Sequence, residues 1–155
     1  MFKELTPDLQ IYTDGSALSS SGPSGSGFAM MHSDGKPITY FSHPLGDHSV
    51  LFSEVDAIVQ AAEFLNQHPQ KYSQVYFFVD NNTALQLATG WCIPKPNSSH
   101  ADLVCRLHNI LRVLNQDYTV SFVWSPSHCN ISGNEIADKL AKRGANGITS
   151  QEPPD

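Results

Sequence analysis

The chain has 155 residues, a mass of 17.0 kDa and 40% apolar residues, which suits one compact domain and argues against two. Nine Lys and Arg against fifteen Asp and Glu leave a formal charge of -6, which excludes a strongly basic nucleic-acid coat. It leaves open binding through a local patch, backbone amides or cations held by carboxylates. No run is long and apolar enough to span a bilayer, and Met1-Phe-Lys-Glu-Leu5 does not lead into a signal-peptide stretch. Cys92, Cys105 and Cys129 lack paired metal-ligand spacing, so the expectation is a soluble intracellular protein with reduced thiols and no membrane contact.

Residues 1 to 8 read as a short leader. Leu9 to Thr13 alternates apolar and polar residues rich in β-formers, predicting a strand that runs into an Asp14-Gly15-Ser16 turn. Ala17 to Ser24 reads as a Ser- and Gly-rich loop, and Gly25 to His32 as a second strand. The Ser33-Asp34-Gly35 turn returns Lys36 to His43 as its antiparallel partner. From Ser49 the period becomes helical through Val50, Leu51, Val55, Ile58, Val59, Ala62 and Leu65, with Pro69 beyond the end. Gln74 to Val79 is a buried-strand run closed by Asp80, and Asn81 to Thr89 a short helix closed by Gly90. His100 to Gln116 predicts another helix and Tyr118 to Trp124 a fifth strand. Ser132-Gly-Asn-Glu135 has the spacing of a capping box opening a last helix that runs to Gly144. Residues 145 to 155 read as a flexible tail. An α/β domain over residues 9 to 144 follows, a mixed sheet with helices on its faces.

Asp14 and Asp80 both close apolar strands, so if those strands are neighbours the two side chains emerge at one edge. Glu54 lies on the first helix within a turn or two of Ile58 and Ala62, on or beside the face turned to the sheet. Asp138 sits between Ile136 and Leu140 on the last helix. Four acids packed together would repel one another unless a cation neutralised them, and an all-oxygen set suits Mg2+ or Mn2+. Two such ions would serve an in-line phosphoryl displacement. Each acid also has a bland reading: Asp14 before Gly15 and Asp80 before Asn81-Asn82 suit turns or helix caps, and Glu54 and Asp138 suit solvated helix faces.

Asp14-Gly-Ser16, Gly22-Pro-Ser-Gly-Ser-Gly27, Ser53-Glu-Val-Asp-Ala57, Asp80 after its strand, and the block from Trp124 through Ser127-His128 to Asp138-Lys-Leu140 together resemble the ribonuclease H family (type 1). The last block looks especially like the ribonuclease H domains of retroviruses and retrotransposons. The resemblance runs from about Leu9 to Gly144 and implies a five-stranded sheet in the order 3-2-1-4-5 with the first strand central. It implies endonucleolytic hydrolysis of the RNA strand of RNA/DNA hybrids, leaving 5′-phosphate and 3′-hydroxyl ends. It makes Asp14, Glu54, Asp80 and Asp138 ligands for two Mg2+ ions, with Mn2+ able to substitute and Asp14 bridging. His128 matches a loop histidine assisting proton transfer or product release. Gly15, Ser16 and Glu54 match positions contacting 2′-hydroxyls, Asn82 a polar contact to the hybrid, and Trp91 a tryptophan lining the DNA-strand groove.

Two departures from the family stand out. The basic element that follows the tryptophan in cellular members is missing, since Cys92 to Asp102 contributes only Lys95. Val50 and Leu51 replace the asparagines that commonly precede the catalytic Glu. A monomer with intact chemistry and weak hybrid affinity is expected, helped by a neighbouring reverse transcriptase or another hybrid-binding domain. The competing readings are a non-catalytic scaffold module of a reverse transcriptase, another nuclease or strand transferase on the same fold, and an unrelated binding protein whose acids are caps.

Overall fold

A computed structural model describes residues 8–20, 22–125 and 132–154. In chain order the elements are β1 (Asp8–Ala17), β2 (Pro23–Met31), β3 (Pro37–Asp47), α1 (Val50–Gln67), β4 (Gln74–Val79), α2 (Asn82–Thr89), α3 (Ser99–Leu114), β5 (Thr119–Trp124) and α4 (Ser132–Ala145). The predicted order holds throughout. One five-stranded sheet has the order β3-β2-β1-β4-β5, with β2 antiparallel to both β1 and β3, and β1, β4 and β5 parallel to one another.

β1 is central because both its faces are covered, and its side chains divide between two helical layers with the strand period. Leu9 and Ile11 are fully buried on the side of α1 and α3, among Phe28, Met30, Val75, Phe77 and Val79. Tyr12 faces the other way, where Ala137 and Leu140 of α4 close over Ala29 and Met31. Each fully buried Leu or Ile contributes about 1.5–3 kcal/mol of transfer free energy.

The Ser- and Gly-rich stretch differs from the expectation of a loop. The β1–β2 ladder runs on through Asp14↔Gly27 and Gly15↔Ser26 to Ala17↔Ser24, so the Asp14-Gly15-Ser16 segment is strand and the connecting loop is short. The cause is the closeness of α4. A Cβ on Gly25 would lie 2.1 Å from the Ala145 nitrogen, and one on Gly27 would lie 2.5 Å from that of Ala141. Only glycine fits there. The alternating serines face α1 instead, where Ser26 Oγ donates to Asp56 Oδ2 at 2.7 Å.

β3 runs past the predicted end at His43 to Asp47 and accommodates Pro44, as an edge strand can. The segment after α4, expected as a flexible tail, lies against that edge. Ser42 and Ser150 exchange backbone hydrogen bonds of 2.8 and 3.2 Å, and Arg143 donates to the carbonyls of Glu152 and Pro153. The exposed edge of the sheet is thereby partly covered. Among the described residues no helix is long and apolar enough to cross a membrane.

Candidate active site

The β1–β4 register sets the first pair of acids. Thr13 lies beside Val79 in parallel strands, so the next residues, Asp14 and Asp80, stand side by side. Asp14 is inside β1 rather than in a turn, and is 5% exposed. The N-cap of α2 is Asn81, whose side chain accepts from the Ala84 N–H at 2.9 Å. Asp80 is therefore not the cap, and its carboxylate is left to the site. That removes the bland reading of both strand acids.

Glu54 arrives through close backbone contact. A Cβ on Gly15 would come within 2.4 Å of the Glu54 nitrogen and of Ser53 Oγ, so the glycine lets the first turn of α1 rest directly on β1. Ser49 caps that turn by accepting from the Phe52 N–H at 3.1 Å. Glu54 is consequently 4% exposed, and ligand atoms of Asp14, Glu54 and Asp80 lie within 4.8 Å of one another.

The electrostatics of this trio are those of a site short of positive charge. Burial pushes the Asp14 carboxyl up to about 8; hydrogen bonds with Glu54 and the Gly15 N–H oppose the shift, and the charges of Asp80 and Asp138 add to it. Burial, and then the charge of Asp14, holds Glu54 well above the usual carboxylate range. Asp80 is raised by burial, with hydrogen bonds from Asp14 opposing. Glu54 Oε2 and Asp80 Oδ1 are buried without a hydrogen-bond partner among the described residues. Orphaned carboxylate oxygens in a cluster of acids are what a hard divalent cation would satisfy, so the residues present fit Mg2+ or Mn2+.

Asp138 does not join the cluster as expected. Its carboxylate pairs with Lys142 Nζ at 2.9 Å, one helical turn on, with both side chains substantially exposed. It is close enough for its charge to act on Asp14 and Asp80. The structure thus brings three acids together and holds the fourth beside them against a lysine. Lys142 was legible only as the i,i+4 partner of Asp138.

Gly15 and Ser16 continue β1 beside Asp14, and Asn82 is exposed on the first residue of α2, two positions from Asp80. Trp91 is 89% exposed after α2, so its ring is not part of the core. His128 lies outside the described residues. Cavities of about 540 Å³ beside α3 and β5 and about 370 Å³ beside α1 and β3 are not lined by Asp14, Glu54, Asp80 or Asp138.

The sequence matches the family described as RNase H over residues 6–146. The chain belongs to the ribonuclease H family. A ribonuclease H of Orientia tsutsugamushi is 32% identical over 142 residues, covering 88% of this chain and 81% of that protein. The N-terminal RNase H domain of a Mycobacterium tuberculosis protein superposes with a TM-score of 0.76 at 16% identity, covering 92% of this chain and 96% of that one. LC11-RNase H1 in complex with RNA/DNA hybrid superposes with a TM-score of 0.76 at 21% identity, covering 90% and 97%. These solved structures bear out the ribonuclease-H-like fold, and the chain is a ribonuclease H by family, in the hydrolase class the motifs imply.

Proposed function

We propose that the protein is an endoribonuclease that hydrolyses the RNA strand of RNA/DNA hybrids, leaving 5′-phosphate and 3′-hydroxyl ends. The observation that carries this is the trio of Asp14, Glu54 and Asp80, gathered beside the neighbouring strands β1 and β4, with two buried oxygens that have no partner among the described residues, in a chain of the ribonuclease H family. Asp14, Glu54, Asp80 and Asp138 would hold two divalent cations, Mg2+ with Mn2+ as substitute. Bound there, the cations supply charge for activating a water and stabilising the departing oxygen in an in-line displacement.

The chain's own residues orient the reactants. Asp14, with a ligand atom within 4.8 Å of those of both Glu54 and Asp80, would hold the cations together with them. Gly15 and Ser16 bring strand backbone groups beside it to read 2′-hydroxyls, with Glu54 contributing a carboxylate. Asn82 contacts the hybrid next to Asp80, and exposed Trp91 presents a ring to the DNA strand. His128, which precedes α4 in sequence, moves a proton or helps product leave.

The likeness of the Trp124-to-Leu140 block to retroviral and retrotransposon domains belongs to this reading, as does help from a reverse transcriptase or other hybrid-binding domain. The α2–α3 connection supports it, since its only cation is Lys95. A single domain over residues 9 to 144, acting as a monomer inside a cell where Cys92 and Cys105 stay free thiols, completes the proposal.

A nucleic-acid panel tests the substrate. Strand-labelled hybrid, single-stranded RNA, double-stranded RNA and duplex DNA are incubated with Mg2+, Mn2+ or EDTA. Cutting confined to the RNA strand of the hybrid and abolished by EDTA is expected. Equal cutting of single-stranded RNA, or cutting that persists in EDTA, would overturn the assignment.

A further inference from the structure

We propose that Asn134 is a positioning residue that sets where Asp138 stands relative to Asp14 and Asp80. The inference rests on the reading of Asp138 as a metal ligand. Asn134 is on the first turn of α4, and its Nδ2 donates to Ser125 Oγ at 2.5 Å and to the Ser125 carbonyl at 3.4 Å. Ser125 follows β5, is 2% exposed, and donates its own N–H to the Val79 carbonyl at 2.9 Å. Val79 immediately precedes Asp80.

An unbroken set of hydrogen bonds therefore joins the end of β4 that carries Asp80 to the helix turn below Asp138. Asn134 and Asp138 are four residues apart on one helix and share a face. Fixing the first therefore fixes the direction of the second. Gly133 supplies a steric stop beside this polar tie. A Cβ there would lie 2.5 Å from the Tyr12 ring, which stacks on Phe78 of β4 with centroids 4.6 Å apart. The start of α4 is thus pressed onto Tyr12 of β1 and tied through Ser125 to the end of β4.

This arrangement matters because, among the described residues, the salt bridge of Asp138 is to Lys142, on its own helix, which cannot locate it with respect to the sheet. A residue that orients a ligand without touching the metal affects metal affinity on the order of tenfold or more. Asn134 supplies that orientation from the strand end that carries Asp80.

The test is Mn2+ binding by titration calorimetry, with thermal unfolding alongside, on the wild type, Asn134→Ala, Ser125→Ala, Asp138→Asn and the Asn134→Ala/Asp138→Asn double variant. Asn134→Ala is expected to weaken the Asp138-dependent Mn2+ binding on the order of tenfold. Ser125→Ala, which leaves every residue of α4 in place, moves it the same way by less. In the Asp138→Asn background the Asn134 change should alter Mn2+ affinity by less than about twofold, because the group it positions is gone. The RNA-strand cleavage midpoint in Mg2+ should shift in parallel while KM for the hybrid holds. Unchanged Mn2+ binding in folded Asn134→Ala, or an equal loss in both backgrounds, overturns the inference. Wild-type Mn2+ affinity in Asp138→Asn instead overturns the ligand reading beneath it.

Discussion

At the scale of single residues, the site is a place where folding works against charge. Asp14 has an ordinary pKa of 3.8 and is held up to about 8. A carboxyl raised on folding binds its proton more tightly in the folded state. Metal-free stability is therefore greatest below about pH 4 and falls as pH rises toward 8, with Glu54 and Asp80 adding in the same direction. Asp14→Asn should flatten that dependence and stabilise the metal-free protein at pH 8 by several kcal/mol. Thermal unfolding from pH 4 to 8 in EDTA checks this, and Mg2+ at pH 8 should stabilise the wild type but not the variant. Stability that rose with pH in EDTA would contradict the assigned cause. Asp14, Glu54, Asp80 and Asp138 were all legible as candidates in the sequence. That three of them meet and Asp138 turns to Lys142 was not, because periodicity puts a side chain on a face without saying which neighbour wins it.

At the scale of elements, the fold was legible wherever side chains carry the signal. Val55, Ile58, Val59, Ala62 and Leu65 announced α1, and Asn81 with Gly90 bracket α2 as N-cap and left-handed C-cap. The stretch from Asp14 to Ser24 was not legible as the continuation of two paired strands, because glycine and serine ordinarily signal turns. Here Gly25 and Gly27 are small because α4 backbone lies against them, and Gly15 because α1 does. These are contacts between distant parts of the chain, which no local pattern reports. Gly27→Ala places a methyl group against Ala141 and Leu140 backbone and must push α4 outward. A loss of about 1–3 kcal/mol by denaturant unfolding is expected, together with weaker metal-dependent cleavage because Asp138 moves with α4. A variant as stable and as active as the wild type would show that α4 is not seated on β2 in this way. Tail contacts such as Ser150 with Ser42 escaped the sequence reading for the same reason, since a terminal run of polar residues and prolines carries no sign of the edge it covers.

At the scale of the whole molecule, the chain sets a cation-seeking site in a protein of formal charge -6. Few lysines and arginines are available to neutralise phosphates, and α2 runs into α3 without a basic helix between them. Hybrid affinity should accordingly be weak at physiological salt, with a shallow dependence on salt concentration that reflects few phosphate contacts. Binding of a fluorescent hybrid in Ca2+ across a salt series measures both quantities, and tight binding with a steep slope would contradict the proposed reliance on a neighbouring domain. The most direct test of the central claim is cleavage of a strand-labelled hybrid by the wild type and by Asp80→Asn over a Mg2+ series, with the fold of each verified. Metal-dependent cutting of the RNA strand by the wild type, lost in the variant by a factor on the order of a thousand or more, is the predicted result. Equal cutting by both proteins, or none by a folded wild type at any Mg2+ concentration and low salt, would contradict it.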